Sequence, residues 1–262
     1  MPTQAAKAKT FRALHACGRP PLVLFNVWDA GGAKVVAATG ARAIATGSWS
    51  VAAAHGFEDG ERLPLDLAID NLARIVRVTD LPVTIDLESG YGETAGEVAR
   101  SVGRAVEAGA VGCNLEDSFS SNGSMRSADQ QAERIARARQ AARDADIDLF
   151  INARTDVFFQ KPADAHDESM VQDALDRGRI YANAGADGLF VPGVVDERLI
   201  GCLAANSPLP VNIMVQADTP SNRRLAERGV ARISYGPQPY LALMKLLDEA
   251  ARAALPEAES VS

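Results

Sequence analysis

Eight short apolar runs, each leading into a longer amphipathic stretch, predict a (β/α)8 barrel for this chain. Three observations carry that expectation. The runs are nearly continuous in apolar residues, as parallel strands buried on both faces require. The phrases "EAGAVG" and "NAGADG" recur just before strands, so one helix-to-strand unit is reused. Eight such units in 262 residues match the size of the barrel. A doubly wound open sheet is the alternative. It would normally carry GxGxxG after its first strand, and here that turn reads DAGGAKVV.

The strand-like runs, in order, are LVLFNVWD (22–29), AIATGSW (43–49), VTIDLES (83–89), GCNLEDS (112–118), FINARTD (150–156), GLFVPGV (188–194), VNIMV (211–215) and ARISYG (231–236). Helical patterns lie between them. Leu65, Ile69, Leu72 and Val76 share one stripe. The stretch ETAGEVARSVGRAVEAGA stops at Gly109, a C-cap signal. Ala128–Asp144 and Glu168–Ala184 are similar, and the second stops at Gly185. The final helical stretch, PQPYLALMKLLDEAARAAL, has apolar residues around more than one face: Leu241, Leu243, Met244, Leu246 and Leu247. One face can pack on the barrel and another suits a partner subunit. No linker or low-complexity segment interrupts the chain. The expectation is a single barrel domain over 1–262, with a flexible tail at 255–262.

Bulk properties exclude several functions. The formal net charge of −7 argues against general nucleic-acid or membrane-surface binding. No apolar run reaches a membrane span, and MPTQAAKAKT is not a secretory signal. Cys17, Cys113 and Cys202 lie far apart with no CxxC, which fits a cytoplasmic protein without a disulfide framework.

Polar residues at the C-terminal ends of barrel strands form active sites. Strand two ends in Thr46, Gly47 and Ser48. Strand three carries Asp86 and Glu88, and strand four Glu116 and Asp117. Strand five ends with Asn152, Arg154 and Asp156, and strand seven carries Asn212. Asp59 lies in the loop after strand two. Residues i and i+2 on a strand share a face, so Asp86 and Glu88 point together. Several carboxylates in one pocket repel each other, and a hard divalent cation resolves this. Magnesium takes one or two carboxylates directly and keeps waters that others hold. Asp86, Glu88 and Glu116 are therefore the expected metal residues. Arg154 is expected to clamp a substrate carboxylate or phosphonate, or else to pair with Glu116 or Asp117. Asp117 and Asp156 suit ion-pair or capping roles. Ser48 and nearby backbone N–H groups suit a substrate oxygen.

Other chemistries fit less well. No lysine sits on a strand end, against a Schiff base. TGSWS is not GxSxG, and His15, His55 and His166 are scattered, against a catalytic triad or a histidine metal site. Two polar loops, 118–129 and 160–168, are candidates to close over the site.

At these residues the chain resembles the isocitrate lyase/phosphoenolpyruvate mutase superfamily. "LFNVWDAGGAKVVAATGARAIATGS", "DLESGYG", "GCNLEDS" and "INARTD" carry the likeness, which runs from about residue 10 to 245. The resemblance implies a (β/α)8 barrel, a Mg2+ cofactor with Mn2+ as an alternative, and cleavage or formation of C–C or P–C bonds beside an α-oxyacid carboxylate through a metal-stabilised enolate. Asp86 resembles the direct metal ligand, and Glu88 a second acid of the DxDxGYG motif. Glu116 and Asp59 resemble acids that hold metal-bound water. Ser48, Gly47 and Trp49 resemble the oxyacid-binding loop, and Arg154 the substrate-carboxylate arginine. Asn212 occupies a position that is polar in the family's lyases. The resemblance also implies dimers of dimers that exchange the last helix.

The departures are specific. The KxCGH motif of isocitrate and methylisocitrate lyases is replaced by SFSSNGSMRS. Cys113 precedes the LED motif and reads as a core residue. Ser118 stands where phosphonomutase-like members carry lysine, and FVPGV lacks the lyases' strand-six acid. The expected function is therefore a Mg2+-dependent lyase, by C–C cleavage or decarboxylation, acting on a small 2-oxo or 2-hydroxy carboxylic acid. The alternatives are phosphonopyruvate mutase or hydrolase chemistry, and a non-catalytic 2-oxoacid binder.

Overall fold

A computed structural model describes residues 2–16 and 18–255. The expected tail therefore lies, from 256 onward, outside the described residues, as does Cys17. Eight parallel strands form one sheet: β1 (Leu22–Leu24), β2 (Ile44–Ala45), β3 (Val83–Asp86), β4 (Gly112–Glu116), β5 (Phe150–Arg154), β6 (Gly188–Val191), β7 (Val211–Met214) and β8 (Arg232–Ser234). Their order is β1-β8-β7-β6-β5-β4-β3-β2. A parallel bridge from Val27 to Thr46 links the outer strands and closes the circle. This is the (β/α)8 barrel, and every run expected to be a strand contains one.

The strands are shorter than their apolar runs. Residues just beyond the ladders, such as Asn26, Gly47 and Gly236, help to build the site. After β2, backbone pairing gives way at Gly47, which N-caps a helix at Ser48–Ala54 that the strand-like run AIATGSW conceals. In chain order the helices are α1 (Gln4–Ala13), α2 (Ala30–Ala38), α3 (Ser48–Ala54), α4 (Leu65–Arg77), α5 (Ala95–Glu107), α6 (Ala128–Asp144), α7 (Glu168–Ala184), α8 (Glu197–Asn206), α9 (Asn222–Glu227) and α10 (Gln238–Ala254). Capping boxes start α5 at Thr94 and α6 at Ser127, and Gly185 ends α7 in the left-handed conformation.

The N-terminal mouth of the barrel is plugged by apolar side chains. Phe11 of α1 enters beside Leu22, Leu24, Val111 and Phe150. Gly112 is a glycine for steric reasons: a Cβ there would lie 2.7 Å from Phe11 Cε1 and 2.9 Å from Thr84 Oγ1. His15 stacks on Phe150 with ring centroids 4.0 Å apart, and burial lowers its pKa to about 3, so it stays neutral. A second core lies between the sheet and the outer helices, including Ile85, Leu115, Ile151, Leu189 and Ile213.

One helix lacks this burial. Among its residues α10 buries only Pro239. Its Leu241, Leu243, Leu246 and Leu247 are exposed, as are Val23 of β1 and Phe25 just after it. No described helix is long and apolar enough to cross a membrane.

Candidate active site

A pocket of ≈ 200 Å³ opens at the C-terminal ends of the strands. Its polar lining includes Ser48, Asp59, Asp86, Asn114, Arg154 and Ser234. Phe159, Phe190, Met214 and Trp49 supply apolar walls. A larger cleft of ≈ 400 Å³ lies at the other mouth, lined by residues such as Leu14, Pro208 and Val230, with Arg19 its only charged residue. Among the described residues that cleft has no carboxylate, histidine, lysine or cysteine on its lining, so the chemistry belongs to the first pocket.

Asp86 ends β3 and is fixed from three sides. Its backbone N–H donates to Thr46 Oγ1 at 3.0 Å, Ser48 Oγ donates to its Oδ2 at 3.1 Å, and the Glu88 N–H donates to its Oδ1 at 3.3 Å. The chain then turns sharply. Glu88 and Tyr91 adopt φ of 50° and 53°, and Gly90 a φ of 106°. A Cβ on Gly90 would meet Val98 at 2.9 Å, so only glycine fits that turn.

The turn points Glu88 away from the pocket lining. Its Oε2 accepts the Glu61 N–H at 2.6 Å and its Oε1 the Tyr91 hydroxyl at 3.2 Å. Burial, then the charges of Asp59 and Asp86, push its pKa up to about 8. Asp59 is also raised, first by burial and then by Asp86. Glu116 is buried behind Arg154 and raised by burial against the opposing pull of Arg154.

Arg154 joins the acids. Its Nη1 lies 2.7 Å from Glu116 Oε2, and Asp156 takes its Nε and Nη2 at 2.6 and 3.1 Å. Burial lowers its pKa, but Glu116 and Asp156 more than offset this, so it stays charged. Of the two partners expected for an ion pair, Glu116 is found. Asp117 instead accepts from Tyr181 at 2.7 Å, from Arg177 at 3.1 Å and from the Asp156 N–H at 3.0 Å, and so ties strand ends together.

The resemblance places Asn212 among the substrate-binding residues. It is buried beneath the lining residues, where its Oδ1 accepts from Ser234 Oγ at 3.2 Å. His55 is not among the lining residues, and Cys113 is buried, its thiol pushed up to about 12 by that burial. The loop at 118–129 forms a hairpin closed by a Ser118–Met125 bridge, and α6 starts at Ala128, inside the expected loop. Arg126 anchors this hairpin by donating to the Ser118 carbonyl.

Asn114 and Ser234 line the pocket without any signal in the sequence, and two further residues hold its loops. Glu61 clips three loops together: it accepts from Ser89 Oγ and the Tyr91 N–H, both at 2.7 Å, and from Ser120 Oγ at 3.1 Å. Asn26 donates to the Thr46 carbonyl and accepts the Gly236 N–H, both at 2.9 Å, clamping the ends of β1, β2 and β8. A polar residue inside LFNVWD was the available signal for Asn26. Glu61 gave none beyond its nearness to Asp59.

Among the described residues no three Asp, Glu, His or Cys side chains converge as a ready-made metal cage. The donors are nevertheless all oxygen. Asp59 and Asp86 line the pocket, Glu88 and Glu116 stand behind, and Arg154 is the sole cation on the lining. Repulsion among these closely spaced acids fits a hard divalent cation that keeps part of its water shell.

The sequence model of the phosphoenolpyruvate phosphomutase family matches residues 11–255. The chain belongs to the isocitrate lyase/phosphoenolpyruvate mutase superfamily. It is 34% identical over 247 residues to an uncharacterized protein of Mycobacterium tuberculosis, covering 93% of this chain and 88% of that one. It is 30% identical over 211 residues to 2-methylisocitrate lyase of Escherichia coli, covering 78% of this chain and 68% of the lyase. A crystal structure of a candidate phosphonomutase from Burkholderia cenocepacia superposes with a TM-score of 0.93 at 57% identity, over 96% of this chain and 100% of the other. Members of this superfamily are lyases and mutases, and the matched lyase takes a small carboxylate by name.

Proposed function

We propose that this protein is a Mg2+-dependent lyase that cleaves a C–C bond, by decarboxylation or retro-aldol chemistry, in a small 2-oxo or 2-hydroxy carboxylic acid. One observation carries the reading: Asp86, Asp59, Ser48 and Arg154 converge on one pocket of ≈ 200 Å³, a size suited to a small acid. Asp86 would hold the metal directly, with Glu88, Glu116 and Asp59 holding its waters. A bound Mg2+ would supply Lewis-acid stabilisation of negative charge developing on the substrate's 2-oxygen.

The chain's own residues do the rest. Asp156 takes two N–H groups of Arg154 and Glu116 pairs with its Nη1 side, which leaves Nη N–H groups for a substrate carboxylate. The first-turn N–H groups of α3, at Ser48 and Trp49, have no helical acceptor and suit a second oxygen. Phe159 and Phe190 flank Arg154 at 5.6 and 6.0 Å and keep bulk water from that end. A carboxylate leaving as CO2 needs no general base, which suits a pocket that has no histidine, lysine or cysteine on its lining.

A second reading is P–C bond chemistry on a phosphonate. The phosphomutase family match and the candidate phosphonomutase from Burkholderia favour it. Ser118 argues against it, because it stands where the family's phosphonate enzymes carry lysine. We place the protein in the cytoplasm, where Cys113 and Cys202 stay reduced. We also assign α10 to exchange between subunits of a dimer of dimers, because its apolar residues are uncovered.

The experiment is a turnover screen with Mg2+ over oxaloacetate, isocitrate, methylisocitrate, alkyl-substituted malates and phosphonopyruvate, with Asp86→Ala as control. Release of a 2-oxoacid from one carboxylate, lost in the control, supports the lyase. Turnover of phosphonopyruvate alone favours the second reading. Mg2+-dependent oxalate binding without any turnover identifies a binder and overturns both.

A further inference from the structure

The barrel interior below the pocket holds a cation that the chemistry above does not use. Arg232 of β8 is 1% exposed, and among the described residues no carboxylate pairs with it. Burying an unpaired guanidinium is costly, so its placement needs a reason. One edge of its fork supplies one. Nε donates to Ser234 Oγ and Nη2 to Asn114 Oδ1, each at 3.3 Å. Both acceptors belong to residues that line the pocket.

These bonds fix the direction of two side chains. A guanidinium can only donate, so the Asn114 oxygen must face Arg232. Asn152 Nδ2 donates to the same oxygen at 2.9 Å and locks the amide again. Asn114 Nδ2 takes no partner among the described residues, and it is not one of the buried unpaired atoms. It is therefore the part of Asn114 left to the pocket. The Ser234 hydroxyl spends its proton on Asn212 Oδ1 at 3.2 Å, so toward the pocket it can only accept. The pocket floor thus offers a donor and an acceptor, set side by side by one guanidinium edge.

We infer that Asn114 and Ser234, held by Arg232 as a positioning residue, recognise a hydroxyl group on the substrate. A hydroxyl accepts from Asn114 Nδ2 and donates to Ser234 Oγ; a methylene does neither and leaves both groups unpaired. A site built to bond a hydroxyl rejects the analogue that lacks it. This rests on the lyase reading above and narrows it to its retro-aldol branch, on hydroxy acids over their deoxy counterparts.

The test uses malate and succinate, which differ by one hydroxyl, with oxalate as a third probe, all titrated calorimetrically with Mg2+ present. Chelation by the metal also favours malate, but it is common to every variant. The readout is therefore the change in the malate-to-succinate affinity ratio. Asn114→Ala and Ser234→Ala should each lower that ratio about tenfold, and Arg232→Met and Arg232→Lys should lower it as much while oxalate still binds. Lysine keeps the charge and loses the fork. An unchanged ratio in Asn114→Ala and Ser234→Ala, with oxalate bound, overturns the inference and leaves Arg232 as a core residue. Failure of the wild type to bind oxalate overturns the lyase reading, and this inference with it. If the Arg232 variants do not fold, the Asn114 and Ser234 variants decide the question alone.

Discussion

The Ser48 hydroxyl donates to Asp86 Oδ2 across the gap between β2 and β3 at 3.1 Å. That bond joins the first turn of α3 to the acid expected to hold the metal. Asp86→Ala should abolish Mg2+-dependent oxalate binding. Ser48→Ala should weaken it five- to tenfold, since it removes about one hydrogen bond, worth ~1 kcal/mol. Calorimetry with and without Mg2+ checks both. Retained metal-dependent binding in Asp86→Ala would move the metal elsewhere.

Arg154 faces two demands, one from Glu116 and Asp156 and one from the substrate. Arg154→Lys keeps the charge but not the planar fork, so turnover should fall about 100-fold with little loss of stability. Arg154→Met leaves two buried acids unpaired and should cost about 3–5 kcal/mol in a denaturant titration. Adding Glu116→Gln to Arg154→Met should restore part of that loss. If Lys and Met variants are equally stable, Arg154 is not the partner of these acids.

Glu88 makes the metal site pH-sensitive. Its pKa is about 8 in the fold, above the ordinary 4.5. The folded protein therefore binds more protons than the unfolded chain between those values. Stability falls as pH rises through that window, and below pH ~4.5 the contribution is fully present. A bound cation favours the ionised acid and reverses the trend. Without metal, the melting temperature should drop between pH 5 and 8; with Mg2+ the drop should shrink. Titrating Mg2+ at pH 7 in two buffers of different ionisation enthalpy should show proton release. Equal binding heats in both buffers would remove Glu88 from the site.

Much of this was legible in the sequence, and the limits have physical causes. Period and glycine placement located all eight strands, and α6 and α7 to the residue, because caps are local chemistry. The helix at Ser48–Ala54 was not legible, since TGSWS continues an apolar run and its N-cap, Gly47, makes no side-chain bond. Strand-end acids were legible because i and i+2 share a face. Glu88 shows where that rule fails: the strand has ended by then, and a φ of 50° swings the side chain toward Glu61. Partners such as Glu61 with Ser89 and Tyr91, or Arg232 with Asn114, are far apart in sequence and belong to tertiary structure.

Two glycines test the packing with opposite signs. Gly112→Ala drives a methyl to 2.7 Å from Phe11 in the plugged mouth and should cost about 1–3 kcal/mol. Gly103 lies inside α5 with nothing within 4 Å of an added Cβ. Gly103→Ala should therefore stabilise by about 1 kcal/mol through helix propensity. Denaturation midpoints of the two variants should move apart. A neutral Gly112→Ala would mean that α1 does not seal the barrel.

The last helix carries the remaining prediction. Leu246 and Leu247 of α10 are 59% and 58% exposed, while Phe25, beside β1, is 44% exposed. An uncovered helix and an uncovered strand end on one chain suit a symmetric exchange, in which each copy's helix covers its neighbour. Burying one leucine is worth about 1.5–3 kcal/mol, so four per chain suffice for a stable assembly. Light scattering should give a mass of four chains. Leu246→Glu with Leu247→Glu should break the assembly, at least to smaller species, and lower the melting temperature. A monomer in the wild type would show that these leucines face solvent, and α10 would then have no exchange role.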